Sequence, residues 1–317
     1  MSATHGKVLL DAHVHFHAGF SEPVFFEAAV RNFARVDGGG VAVCGLMLTE
    51  SHGVDAFGRW EKSARRDVRD DGGGGVRGGS GGRIGSAAGD GAGWTFRATA
   101  ERNSLWAVGG GGGAGPEHRV LVIAGRQLVT EERFEVLALG CRRELPDDLP
   151  LRQARDAVIA AGGIPVVPWG FGKWWFARGR LLAELIAADC PGTWFLGDNA
   201  GRPRLSLQPK LFEVAARRGV WVLPGSDPLP LGGQDKKAGR CGFVLPRMGE
   251  AAAPAGALAE RPAGVAAAPA TVLGERPAAA VLDALRGCSR QPETFGRLES
   301  LVVFARQQVA MQMRGAP

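Results

Sequence analysis

Tyrosine is absent from this 317-residue chain, and histidine is scarce, with six residues in all. The five cysteines, Cys44, Cys141, Cys190, Cys241 and Cys288, are far apart, with no C-x-x-C pair. Zinc-ribbon spacing is therefore excluded, and reduced thiols in a cytoplasmic protein are the simplest expectation. No apolar run approaches the length of a membrane span, and the N-terminus lacks a charged-then-apolar layout, so neither a membrane partner nor a signal segment is expected. No long Lys/Arg block occurs. The net charge of +6 suits a small anionic substrate without calling for specific nucleic acid. The phosphate-loop pattern G-x-x-x-x-G-K-[ST] is missing, as is any readable Ser-His-Asp or Cys-His arrangement, since all six histidines precede residue 119. Nothing in the sequence sets the oligomeric state.

What histidine there is clusters. His13, His15 and His17 fall in Asp11-Ala12-His13-Val14-His15-Phe16-His17, directly after the apolar run Val8-Leu9-Leu10. A strand sends alternate side chains to one face. If the strand continues that far, Asp11, His13, His15 and His17 share a face. Imidazoles and a carboxylate converging at a strand end are what a divalent transition metal needs. His13 and His15 are the best ligands. Asp11 is either a ligand or an orienter of an imidazole, and His17 is a ligand or a bystander.

Strand-like runs alternate with amphipathic ones, which argues for a parallel α/β architecture. Expected strands are Lys7–Ala12, Gly40–Leu48, Arg119–Ala124, Phe134–Gly140, Gly163–Pro168, Thr193–Gly197 and Val220–Pro224, with a strand pair or edge strand in Trp94–Val108. Expected helices are Pro23–Ala34, Leu151–Ala161, Arg180–Ala188, Pro209–Arg218 and Glu299–Met313. The last should carry Leu301, Val302, Ala305, Val309 and Met313 on one face. The segments 71–93 and 109–115 are dominated by glycine and read as flexible insertions. Residues 251–280, rich in Ala and Pro, read as a linker or surface excursion between a main domain (1–250) and C-terminal helices (281–317) that pack on it.

Other polar groups sit at strand ends, where α/β barrels keep their active sites. His52, in Thr49-Glu50-Ser51-His52, is a candidate ligand or proton carrier, as is Glu50, and a solvent-facing loop is the alternative. Glu135 opens an apolar strand, and a buried carboxylate needs a metal or a basic partner. Asp227, in Gly225-Ser226-Asp227, is a candidate metal carboxylate. The segment Trp169–Arg180 mixes five aromatics with Lys173 and Arg178. It forms either a substrate wall, with a cation meeting an anion, or a structural lid. Asp198, Asn199 and Arg202 follow a strand and are further candidates for the pocket.

The order of these pieces resembles the polymerase and histidinol phosphatase (PHP) superfamily of metal-dependent phosphoesterases. Asp11-Ala12-His13-Val14-His15 looks like its opening H-x-H motif, and Thr49-Glu50-Ser51-His52 like a variant of T-D-H. Ala124-Gly125-Arg126-Gln127 stands where the family has G-x-E, and Glu135 lies near its next ligand position. Ala161-Gly162-Gly163 followed by Ile164–Trp169 resembles the strand that normally ends in Ala-His-Pro. Asp198-Asn199 resembles E-x-x-N, and Gly225-Ser226-Asp227 matches G-S-D-x-H. Three ligand positions differ: Gln127 replaces Glu, Pro168-Trp169 replace the third-motif His, and Pro228 follows Asp227 without the final His.

The resemblance implies a distorted (β/α)7 barrel with Gly-rich loop insertions. It implies one or two divalent ions (zinc, manganese or iron) on His13, His15, Glu135 and Asp227. The implied reaction is hydrolysis of a small phosphorylated substrate by metal-activated hydroxide, with His52 as ligand or general acid and Lys173, Arg178 or Arg202 holding the anion. The alternative is a catalytically impaired PHP-like domain that binds a ligand or protein. A third is an amidohydrolase-type C–N hydrolase, which normally needs later histidines.

Overall fold

The structure, a computed structural model, describes residues 7–37, 43–71, 93–109, 117–188, 192–205, 208–245 and 273–314. Nearly all of the two Gly-rich segments, and 251–272 of the Ala/Pro-rich excursion, lie outside those residues. The first half runs β1 (Val8–Val14), α1 (Glu22–Asp37), β2 (Val43–Leu48), α2 (Ala56–Asp71), β3 (Thr95–Ala98), β4 (Ser104–Gly109), β5 (His118–Ile123), β6 (Gly125–Val129) and β7 (Glu135–Leu139). The second runs α3 (Leu151–Ala160), β8 (Ile164–Pro168), α4 (Phe176–Ala188), β9 (Phe195–Asn199), α5 (Lys210–Ala216), β10 (Val222–Gly225), a 3-10 turn (Gln234–Lys237), β11 (Gly242–Leu245), α6 (Pro277–Arg286), β12 (Glu293–Phe295) and α7 (Leu301–Met313). Among the described residues, no helix is long and apolar enough to cross a membrane.

The expected (β/α)7 barrel does not form. There are two mixed sheets: seven strands ordered β12-β11-β1-β2-β5-β4-β3, and five ordered β10-β9-β8-β7-β6. Only β1-β2-β5 and β8-β9-β10 are parallel runs. Hydrogen bonding explains the correction. Closing a barrel would require the edges of β1 and β5 to pair with the second sheet. Antiparallel β11 already occupies the outer edge of β1, and the antiparallel hairpin β3–β4 occupies that of β5. A strand has two edges, and both are taken.

The sheets nonetheless face each other across a shared core. Val8, Leu10 and Ala12 of β1 meet Leu137, Ile164, Val166, Phe195 and Leu223 of the second sheet, and α6 inserts Val281, Leu282 and Leu285 into the same cluster. Helix α6 begins inside the stretch expected to be a surface excursion. On the outer face of the first sheet, α1 and α2 pack Phe25, Phe26, Phe33, Phe57 and Trp60. On the outer face of the second, α3, α4 and α5 pack Val158, Leu182, Ile186 and Phe212. Helix α7 has the expected spacing but the opposite orientation. Leu301, Val302, Ala305, Val309 and Met313 face outward, while Phe304 and Gln307 are buried. The Phe304 ring packs edge-on against Phe171 on this buried face.

The two sheets are seamed where β2 ends. Glu50 N–H donates to Gly125 O (3.1 Å) and Gln127 N–H donates to Glu50 O (2.9 Å). Only Ala124 separates β5 from β6, so the chain steps from one sheet to the other there. A Cβ on Gly125 would sit 2.1 Å from Leu48 O, so only glycine allows that approach. The Glu50 side chain caps α2, with Oε1 accepting from Ala56 N–H (2.6 Å) and Phe57 N–H (3.0 Å), and Oε2 lies 3.5 Å from Arg126 Nη1. This carboxylate is fully employed in holding the seam. Glu50→Ala is therefore expected to lower unfolding free energy by about 2–3 kcal/mol, because it uncaps a helix and removes the nearest carboxylate from a mostly buried guanidinium. Denaturant titration against the parent protein measures this; a loss within 0.5 kcal/mol, roughly the scatter of surface substitutions, would contradict it.

Candidate metal centre

The histidine cluster forms at the end of β1 through a break in strand parity. Leu9 lies on the outer face of the first sheet and Leu10 and Ala12 on the inner one. The β1–β2 register then shifts between Asp11 and Val14, and Val14 joins the outer face with Leu9. One irregular step is enough to exchange the faces of every following residue. Asp11 and His13 accordingly do not share a face, contrary to the expectation from simple alternation.

Beyond the break, His13 and His15 converge, with Nε2 atoms 3.0 Å apart. Asp227 Oδ1 completes the group, 3.6 Å from His13 Nε2 and 3.8 Å from His15 Nε2. The three residues form a set whose ligand atoms all lie within 4.8 Å of one another. Asp227 follows β10 in a left-handed conformation (φ 45°), and its N–H donates to His13 O at 2.8 Å. A Cβ on Gly225 would lie 2.3 Å from His13 N, so glycine is what lets β10 come this close to β1.

The electrostatics favour cation binding. Burial, reinforced by His13, pushes the His15 imidazole down to about 3 despite Asp227. Burial alone would raise the Asp227 carboxyl, but His13 and His15, then Lys173 and Lys237, outweigh it and hold the carboxyl below its usual range. The set thus offers neutral imidazole and an ionised carboxylate. Two imidazole lone pairs do not face each other at 3.0 Å without a proton or a cation between them. Metal bonds of about 2.0–2.2 Å place neighbouring ligand atoms roughly 3.0–3.6 Å apart, close to the separations seen. The residues present therefore fit a divalent ion.

Surrounding groups fix the cluster. Asn199 Nδ2, from the end of β9, donates to Asp227 Oδ2 (3.0 Å) and to Trp169 O (3.1 Å). Thr49 Oγ1 lies 3.5 Å from His15 Nε2. His17 is drawn away, its Nε2 hydrogen-bonded to Pro228 O at 2.8 Å and its ring stacked on His15. Asp11 is fully buried and acts through backbone. Oδ1 accepts from Ser226 N–H (2.8 Å) and His13 N–H (3.3 Å), and Oδ2 accepts from Gly239 N–H (2.8 Å). Burial pushes its carboxyl up to about 7 against those hydrogen bonds.

The remaining expected residues sit elsewhere. Glu135 is ion-paired to Lys173 and lies outside the three-residue set. His52 is 72% exposed, with Nδ1 4.0 Å from Glu144. Arg202 is buried in a two-pronged pair with Asp198 (2.9 and 2.7 Å). Consecutive strand residues face opposite ways, so Asp198 and Arg202 turn from the cluster toward a separate cavity of about 420 Å³ while Asn199 turns toward it. Arg178 donates to Gly172 O and pins the aromatic loop. Lys237 and Glu299 were not picked out from sequence. Lys237 Nζ and Arg240 Nη1 both reach Glu299 Oε1, at 2.9 and 2.8 Å, tying the start of α7 beside the site. The turn glycines before Lys237 (Gly232-Gly233) were the only local signal.

Comparison with protein families and with curated proteins returns no match. Among solved structures, the crystal structure of PsfC from Pseudomonas syringae PB-5123 aligns with a TM-score of 0.49. The alignment covers 97% of this chain and 99% of that one, at 14% identity. A likeness at that level carries no argument about fold or chemistry.

Replacing Asp11 by Ala leaves three backbone N–H groups without their acceptor and is expected to cost about 2–4 kcal/mol. Hydrogen exchange checks the mechanism: the Ser226 and Gly239 amides should lose protection before the amides of β8. Uniform loss of protection across both sheets would refute a local staple.

Proposed function

We propose that this protein is a metal-dependent phosphoesterase, a divergent relative of the PHP superfamily in its site, acting on a small phosphorylated substrate. The observation that carries the reading is the convergence of His13, His15 and Asp227 from two strands. A zinc, manganese or iron ion held there would supply Lewis acidity toward a phosphoryl oxygen and toward an attacking water. His15 stays neutral and so keeps a lone pair for the ion. Asp227 stays ionised and is oriented by Asn199. Lys173 contributes a positive charge beside Asp227, suited to an anionic group, and Glu135 positions its ammonium. Cys141, Cys241 and Cys288 are free thiols, in keeping with a cytoplasmic setting. A second reading, a domain that binds a ligand or protein without turnover, draws on the exposed Phe171, Trp175 and Phe176.

Elemental analysis by plasma mass spectrometry tests the proposal. The purified protein should carry about one equivalent of a transition metal per chain, as a single set of three protein ligands with an open position implies. The His13→Ala/His15→Ala variant should carry almost none, with phosphoester turnover lost in parallel. Protein that stays metal-free after reconstitution, or a variant that retains its metal, would overturn the reading.

A further inference from the structure

A cleft of about 370 Å³ opens at the aromatic loop after β8, and its walls include Trp169, Phe171, Trp174, Trp175, Pro209 and Lys210. Its volume is within the range of small-ligand sites, about 300–1,000 Å³. Three indoles and a phenyl ring make an unusual wall in a chain with eight tryptophans and no tyrosine. Two of these aromatics remain open to solvent, Phe171 at 55% and Trp175 at 53%. Aromatic faces gathered at a cleft favour a flat ring by stacking and edge contacts.

The cleft and the cluster are joined by one amide nitrogen. Asn199 Nδ2 donates to both Trp169 O and Asp227 Oδ2, so the first residue of the cleft wall and the carboxylate of the cluster share a single donor. Lys173 belongs to the same loop, between Phe171 and Trp174, and pairs with Glu135. Lys210 stands in the wall on the other side. Trp169 O and Asp227 Oδ2 are each one hydrogen bond from the same nitrogen, which sets the first residue of the cleft wall beside the carboxylate of the cluster.

We propose that this cleft is the ring-binding subsite of the centre, and that the substrate is a phosphate ester of a flat, ring-bearing alcohol, aryl or nucleoside. The ring lies among Trp169, Phe171 and Trp175 while the phosphoryl group reaches His13, His15 and Asp227. This rests on the phosphoesterase reading above. In the hydrolysis, the oxygen of water bonds to phosphorus and the P–O bond to the ring-bearing alcohol breaks. One proton of the water leaves with the alcohol, and the other remains with phosphate or solvent.

Titration calorimetry on the full-length, metal-loaded protein tests this with phenyl phosphate, adenosine 5′-monophosphate, glycerol 3-phosphate and inorganic phosphate. At least one ring-bearing ester should bind about tenfold tighter than glycerol 3-phosphate, the order expected of one aromatic stack. Which of the two is preferred assigns the aryl or the nucleoside source. Trp175→Ala should erase that preference and leave inorganic phosphate affinity unchanged. Val309→Ala, at a 56% exposed position on α7 outside the cleft wall, should change neither. Equal affinities for all esters, or a preference that survives Trp175→Ala, would overturn the subsite. Phenol and adenosine separate it from the metal reading. In the His13→Ala/His15→Ala variant, phosphate binding should vanish while Trp175-dependent binding of one of these rings persists. Should the parent protein take up no metal, the metal reading alone fails. The subsite then stands if either ring binds through Trp175, and falls if neither does.

Discussion

The Asp11 carboxylate is the constraint on which the site depends. Its two oxygens collect N–H groups from the end of β1, the end of β10 and the loop before β11. No ladder joins β1 to β10, because both edges of β1 are already paired. The three side chains of the cluster nevertheless come from the ends of those two strands. One buried acid, together with the Asp227 N–H to His13 O bond, does locally what a closed barrel would have done all the way round. Burying a carboxylate is costly unless its oxygens are satisfied, and here three amides meet them.

The same economy recurs at the second junction. Glu50 joins the sheets through main chain and caps α2 through its side chain, with Arg126 alongside. Arg126 in turn donates to Val54 O (2.5 Å) and Arg142 O (3.2 Å), so one guanidinium gathers three loops. At both junctions a polar side chain that resembles a ligand by sequence order serves as a clasp. The candidate centre is left with a small set of three residues.

Legibility in the sequence followed the length and regularity of each element. β1, β2, β5, β7, β8, β9 and β10 are apolar runs and were readable, as were the paired histidines and the acid after β10. β11 has four residues, Gly242–Leu245, too few for a period to show, yet it decides that no barrel closes. β6 was hidden because it continues β5 after one residue. α2 was missed because its sequence is dominated by charge and carries a glycine, Gly58, in its first turn. The stripe on α7 was read correctly in spacing and wrongly in direction, since the face it buries meets a loop more than a hundred residues earlier. Glu135 was recognised as needing a partner. That the partner is Lys173 is a long-range fact that local pattern does not contain.

The Asp11 clasp also has a kinetic meaning. Its bonds to Ser226 and Gly239 span 215 and 228 residues of chain. Loops of that length close late, because their entropy is lost before any contact repays it. The outer helical layers, built from contacts much nearer in sequence, are free to form first. His13, His15 and Asp227 thus meet only when the two halves of the chain dock. A nascent chain released before Gly239 would contain all three residues of the cluster and still lack the geometry that unites them.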